Sequence, residues 1–203
     1  MYDYLFGVDD INEDECYNIR TIVLFRRVMM RKVVLYIAQS LDGYIATKED
    51  SLEWLFSVES EGDNGYGEFI NGVDTILIGK RTYDWVMEQE KGEFPYKDKE
   101  CFVFSRSVNE DTEYVKFIHP DIKAFTNHLK NGEGKSIWLI GGGDLLYTFL
   151  QENLVDEMIV TVAPRIIGEG IPLFKAGDYQ FNLSLKSTRT FNQFVELHYV
   201  VKR

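Results

Sequence analysis

Four short apolar runs, rich in β-branched and aromatic residues, punctuate the chain: Lys32–Gln39, Asp74–Gly79, Cys101–Ser105 and Ser136–Gly141. Each leads into polar or glycine residues. Runs of this length without polar alternation predict strands buried on both faces, as in a mostly parallel sheet covered by helices. Between them, Arg81–Glu90, Asp121–Lys130 and Asp144–Glu152 read as helices, the last carrying Leu145, Leu146, Phe149 and Leu150 at helical spacing. Asp121, directly after a proline, is placed to cap its helix. Beyond Val155 the pattern changes. MIVTVAP, FNLSLKSTRTF and QFVELHYVVKR alternate or mix, with Asn192 as the turn signal between the last two. The expected fold is α/β, in three layers, with a mixed, mostly parallel sheet closed by an antiparallel C-terminal hairpin.

Composition narrows the class. The chain has 203 residues, 45% hydrophobic and 27% charged, enough for one domain with a real core. Its 14 Phe, 12 Tyr and 3 Trp exclude a globally disordered chain. Asp and Glu outnumber Lys and Arg by 33 to 22, a net charge of −11. No broad basic face for a nucleic-acid backbone is expected, although a small basic pocket for one phosphate is compatible with this balance. Cys16 and Cys101 form no CxxC pair, and a cytoplasmic protein without disulfides is expected. His119, His128 and His198 have no metal-ligand spacing, so no metal site is expected. No apolar stretch approaches the roughly 20 residues of a membrane span.

Residues 1–30 read differently. Six acidic residues precede Cys16 and no basic ones do, the reverse of a secretory signal. The pair Met29-Met30 stands where a domain beginning at RKVVLYIAQ would start. Residues 1–30 are therefore read as an N-terminal appendage, a misread upstream start or a tail that docks elsewhere, and residues 31–203 as the domain.

Three turns at strand ends carry the candidate chemistry. Gly141-Gly142-Gly143 follows a strand and opens a helix, where backbone N–H groups can face a phosphate. It is not the GxGxxG fingerprint, because Leu146 occupies the third glycine position. GEGKS at 132–136 is not a P-loop either, since Leu129 stands where a glycine is required. Gly79-Lys80-Arg81-Thr82 places two cations at a helix N-terminus, which the helix dipole disfavours unless an anion lies there. Ser105-Arg106-Ser107 ends a third buried strand. Ligands of open α/β sheets sit at the carboxyl ends of strands, and three such ends here suit an extended anionic ligand.

SLDGYIA (40–46), LIGKRTYDW (77–85), FSRS (104–107) and IWLIGGGDLLYTFL (137–150), in that order and spacing, resemble the dihydrofolate reductase-like superfamily. The resemblance is strongest to the branch that holds the reductase domain of bacterial riboflavin biosynthesis enzymes, and it extends over residues 31–203 through VDEMIVTVAPRIIGEGIPLF (155–174). It implies a dihydrofolate reductase-like three-layer fold, NADPH as cofactor and a homodimer. Ala38 and Ile45 match positions flanking the nicotinamide. Gly79, Lys80, Arg81 and Thr82 match the turn that holds the pyrophosphate and adenosine phosphate. Ser105 and Arg106 match the adenosine-side turn, and Gly141, Gly142 and Gly143 the turn that approaches the diphosphate. In dihydrofolate reductases the first two glycines of that turn are joined by a cis peptide, which is expected here too.

The same resemblance implies an acid ahead of the GKRT-type turn. Counting back from Gly79 reaches Asp63, with Glu68 and Tyr66 as alternatives and a solvated acidic loop as the competing reading. Asp42 reads as a turn-forming side chain or as a group facing substrate. Trp54 and Leu55 read as a substrate wall or as core. The implied activity is NADPH-dependent hydride transfer to a small heterocyclic or ribosylaminopyrimidine-type substrate. The alternatives are a low-activity dihydrofolate or pteridine reductase and a non-catalytic NADPH-binding sensor.

Overall fold

The computed structural model describes residues 30–60, 62–107, 109–119 and 121–203. The appendage read in residues 1–30 falls, but for Met30, outside the described residues. In chain order the elements are β1 (Val33–Ser40), β2 (Tyr44–Ala46), α1 (Glu53–Phe56), α2 (Tyr66–Asn71), β3 (Val73–Gly79), α3 (Lys80–Gln89), β4 (Glu100–Phe104) and β5 (Val115–Ile118). There follow α4 (Ile122–Asn131), β6 (Ser136–Gly141), α5 (Gly143–Gln151), β7 (Glu157–Ala163), β8 (Ile171–Pro172), β9 (Asn182–Phe191) and β10 (Phe194–Lys202).

The main sheet has the order β5-β4-β3-β6-β1-β7-β10-β9. Every pairing from β5 across to β7 is parallel, and β10 then runs antiparallel to both β7 and β9. The closing hairpin turns at Asn192, whose positive φ of 53° is the left-handed conformation that asparagine tolerates. β2 and β8 form a separate antiparallel ribbon.

Both faces of the parallel strands are apolar because each is covered. On one face Leu35, Leu77 and Leu139 pack with Leu146 and Phe149 of α5, against which Phe125 and Leu129 of α4 also lie. On the other, Ile76, Ile78 and Trp138 pack with Tyr83 and Val86 of α3, flanked by Tyr66 and Phe69 of α2. Burying one such large aliphatic side chain stabilises by about 1.5–3 kcal/mol, so these two layers hold the sheet. Asp121 caps α4 as its sequence predicts, Oδ1 accepting from Ala124 N at 2.9 Å. Among the described residues no helix is long and apolar enough to cross a membrane.

At the amino end of β7 the buried Glu157, its side chain 6% exposed, gathers two lysines and a histidine. Lys32 donates to Oε1; His198 Nε2 lies 2.6 Å and Lys186 Nζ 3.2 Å from Oε2. Burial alone would raise this carboxyl, but the hydrogen bonds from Lys32, His198 and Lys186 outweigh it and carry it from an ordinary 4.5 to about 2. A depressed folded value means that the stability is present above the unfolded value and is lost as pH falls through the folded one. Acidification from about pH 5 to about pH 2 therefore removes stability that a Glu157→Gln variant never had. That variant is expected to be less stable at neutral pH by about 1–3 kcal/mol, the half-exposed lysines limiting the loss. Its urea midpoint should vary less with acid than the wild-type midpoint; parallel pH profiles would contradict this role.

Candidate functional site

Parallel strands that feed helices bring their carboxyl ends to one rim, and here that rim encloses a cavity of about 810 Å³. Its lining includes Ala38 from β1, Ile45 from β2, Gly79 through Thr82, Ser105 and Arg106, and Gly142 and Gly143. Ten of the eleven residues expected to contact a dinucleotide thus converge on one space. The eleventh, Gly141, ends β6 beside Gly79: a Cβ on Gly79 would stand 3.4 Å from the Gly141 carbonyl oxygen.

The local sequence explains the rim. β3 and β6 are neighbours in the sheet and both run out on glycine. α3 and α5 start at once, and neither has a side chain bonded to its N-terminus. Their first backbone N–H groups have no intrahelical acceptors, and the helix dipole places partial positive charge at the same spot. No cis peptide joins the glycines; all described peptides are trans. The expected cis bond is corrected: the turn obtains its shape from φ values of 109° at Gly141 and 78° at Gly142, which glycine alone adopts without strain.

Four cations line the cavity, three of them with a carboxylate of their own. Lys80 Nζ bonds Asp84 at 2.6 Å, Arg81 Nη2 bonds Asp50 Oδ2 at 2.6 Å, and Lys175 Nζ bonds Asp144 Oδ1 at 2.5 Å. Among the described residues Arg106 has no ion-pair partner. The hydrogen bond from Lys175 holds the Asp144 carboxyl below its usual range, with burial opposing and the charges of Arg106 and Arg81 adding to the effect. The mouth is therefore electropositive although the chain is acidic. Ser105 does not offer its hydroxyl to the cavity. It donates to the Ser107 carbonyl at 2.9 Å and accepts from Asn109 Nδ2 at 2.7 Å, closing the turn that presents Arg106. His119 Nε2 stands 3.0 Å from the Arg106 carbonyl and braces the same turn.

The two candidate acids do not reach this space. Asp63 accepts from Gly65 N at 3.0 Å and from Gly67 N at 2.7 Å, organising the start of α2. Glu68, 77% exposed, pairs with Arg189 Nη1 at 2.5 Å. Neither lines the cavity. Tyr66 lies in the aromatic layer with Tyr36 and Trp138, and it is Tyr96 that touches the cavity. Asp42 takes its turn-forming role: Ser40 Oγ donates to Oδ1 at 2.6 Å and Gly168 N to Oδ2 at 2.7 Å, and these bonds lower its carboxyl. Leu55 lines the cavity, whereas Trp54 packs against Val58, Ala163 and Phe194. Lys175 escaped sequence reasoning, since nothing in LFKAG distinguishes it from a surface lysine. Among the described residues no group of three His, Cys, Asp or Glu side chains could hold a metal.

Comparison with known proteins identifies the family and the fold. The model of the RibD C-terminal domain matches residues 31–197. An uncharacterised Bacillus subtilis protein, YwjB, is 47% identical over 173 residues, 85% of this chain and 99% of its own. A putative riboflavin biosynthesis protein from Shewanella has a crystal structure that superposes with a TM-score of 0.77 at 30% identity, covering 85% of this chain and 99% of that one. A dihydrofolate reductase from Enterococcus faecalis, solved with NADP(H), shares the fold with a TM-score of 0.60 at 13% identity, covering 85% and 97%.

Gly142 gives the sharpest test of the rim. A Cβ there would approach Thr82 Oγ1 to 2.8 Å, on a backbone that L-residues rarely adopt. Gly142→Ala should lose about 1–3 kcal/mol of stability. An unchanged urea midpoint would show that the turn is not built this way.

Proposed function

The chain belongs to the RibD C-terminal domain family, of dihydrofolate reductase-like fold, and on that premise we propose that it is an NADPH-dependent reductase. Its substrate is a small heterocycle of the ribosylaminopyrimidine type, and the working form is a homodimer. The observation that carries this reading is the convergence of three strand-end turns on one cavity with a cationic mouth and apolar walls. In such an enzyme the nicotinamide supplies the hydride, and the protein contributes position and electrostatics.

The residues suit that division of labour. Ala38, Ile45 and Leu55 form the apolar end, where a neutral ring would lie out of water. The uncapped starts of α3 and α5 face the stretch suited to a diphosphate. Arg106 stands at the adenosine end with no ion-pair partner among the described residues. A cation about 4 Å from one phosphate charge is worth about 4 kcal/mol at an effective dielectric of 20, before desolvation. Arg106 therefore selects NADPH over NADH, while Lys80, Arg81 and Lys175, each tied to an acid, set the general positive field.

A second reading has its own observation. Neither Asp63 nor Glu68 lines the cavity, so a protein that binds NADPH without turnover is also compatible with the site. The test separates the two. Fluorescence titration should give NADPH binding at least tenfold tighter than NADH binding, and Arg106→Ala should remove about 1–3 kcal/mol of that preference. Cofactor oxidation with a pyrimidine or pteridine panel favours the reductase, and tight binding without oxidation the sensor. Failure to bind either dinucleotide would overturn both readings.

A further inference from the structure

The cavity straddles the end of the sheet, and its two apolar ends lie on opposite faces. Phe104, Ile118 and Ile122 belong to the face covered by α4 and α5, and Arg106 follows Phe104 by two residues. Trp85, Val86, Tyr96 and Ile140 belong to the face covered by α2 and α3. Strand alternation places Ala38 on that second face, two residues beyond Tyr36. Leu52 and Leu55 reach the cavity as well. The end next to Ala38 is therefore a lobe with aliphatic and aromatic walls.

The aromatic walls differ in what already holds them. The ring of Tyr96 meets Trp138 edge-on at 5.5 Å between centroids and Phe94 at 5.6 Å, which fixes it. Burial pushes the Tyr96 hydroxyl up, so it remains neutral. Trp85, half-buried one helical turn after Arg81, meets no other aromatic ring among the described residues. Its indole is a flat apolar surface on the cavity without an aromatic partner.

Charge in the lining is confined to the rim. The four cations Lys80, Arg81, Arg106 and Lys175 stand at the turns that suit the dinucleotide. Lys175 lies against the start of α5, where a Cβ on Gly143 would stand 3.3 Å from its Cε. The other charged lining residues are two carboxylates, Asp50 and Asp144. NADPH carries one charge on each phosphate of its diphosphate and about −1.5 to −2 on its 2′-phosphate at pH 7, which matches the four cations in full. A further phosphate, on the substrate, would meet two carboxylates and no cation to spare. Taking a phosphate out of water without a partner is strongly disfavoured.

We infer that the lobe walled by Trp85, Tyr96 and Ile140 binds an uncharged planar ring, and that the site recognises no substrate phosphate. This rests on the reductase reading above and narrows its substrate to the free riboside or base rather than the phosphate ester. Trp85 seats the ring by stacking, and the charge balance of the lining excludes the ester.

The full-length protein, saturated with NADP⁺, is titrated calorimetrically with 5-amino-6-ribosylaminouracil and with its 5′-phosphate. The riboside should bind at least as tightly as the ester. Trp85→Leu, which keeps an apolar side chain but no ring, should weaken the riboside about tenfold and leave NADP⁺ affinity unchanged. An ester that binds more tightly than the riboside, riboside affinity unmoved by Trp85→Leu, or no binding of either ligand overturns the inference. If Trp85→Leu fails to fold, the comparison of the two ligands on the wild-type protein decides. Riboside binding that depends on Trp85, in a protein that takes neither NADP⁺ nor NADPH, would keep the lobe and overturn the reductase reading instead.

Discussion

The close approach of two strand ends governs this molecule. β3 and β6 are parallel neighbours, and both stop on glycine, Gly141 in register with Ile78 one residue before Gly79. A side chain at Gly79 would press on the Gly141 carbonyl, and one at Gly142 would run into Thr82. Because these positions carry no Cβ, two helices can start next to one another with bare N-termini facing one space. The parallel sheet requires covered crossovers, the crossovers place helices behind the rim, and the helix starts give the rim its polarity. The proposed anionic ligand site rests on that packing, in a chain of net charge −11.

The electrostatics work by local pairing. Asp84, Asp50 and Asp144 each hold one of the cations at the mouth, which keeps the basic residues ordered without cancelling the field at the rim. A ligand phosphate then has only to compete with exposed carboxylates for pairs that are individually weak. Arg106 differs, since its turn is held by Ser105 and His119 and its guanidinium has no ion-pair partner among the described residues. On the proposed reading the two classes of cation have different work: shared attraction on one side, discrimination on the other.

Much of the fold was legible because the central strands are buried on both faces, so β1, β3, β4 and β6 stand out as continuous apolar runs. β5 is a four-residue strand at the sheet edge, and β2 and β8 are shorter still, too brief for any period to emerge. α2 was obscured by its start: Gly65 takes a φ of 78° and Asp63 bonds the backbone, both outside ordinary helical patterning. The turns that meet at the cavity could be read since glycine and cations sit together at strand ends. Lys175 could not, arriving from a loop without a pattern. Counting back from Gly79 led to Asp63, but sequence distance could not reveal that its carboxylate is spent on the Gly65 and Gly67 amides.

One ligand lying across three turns is the central requirement, and a crystal structure of the protein with NADP⁺ tests it directly. The dinucleotide should span the cavity, with its 2′-phosphate in hydrogen-bond contact with Arg106. Its diphosphate should lie against the amides that open α3 and α5, and its nicotinamide against Ala38. A dinucleotide bound outside the cavity, or inside it with the diphosphate away from both helix starts, would contradict the account.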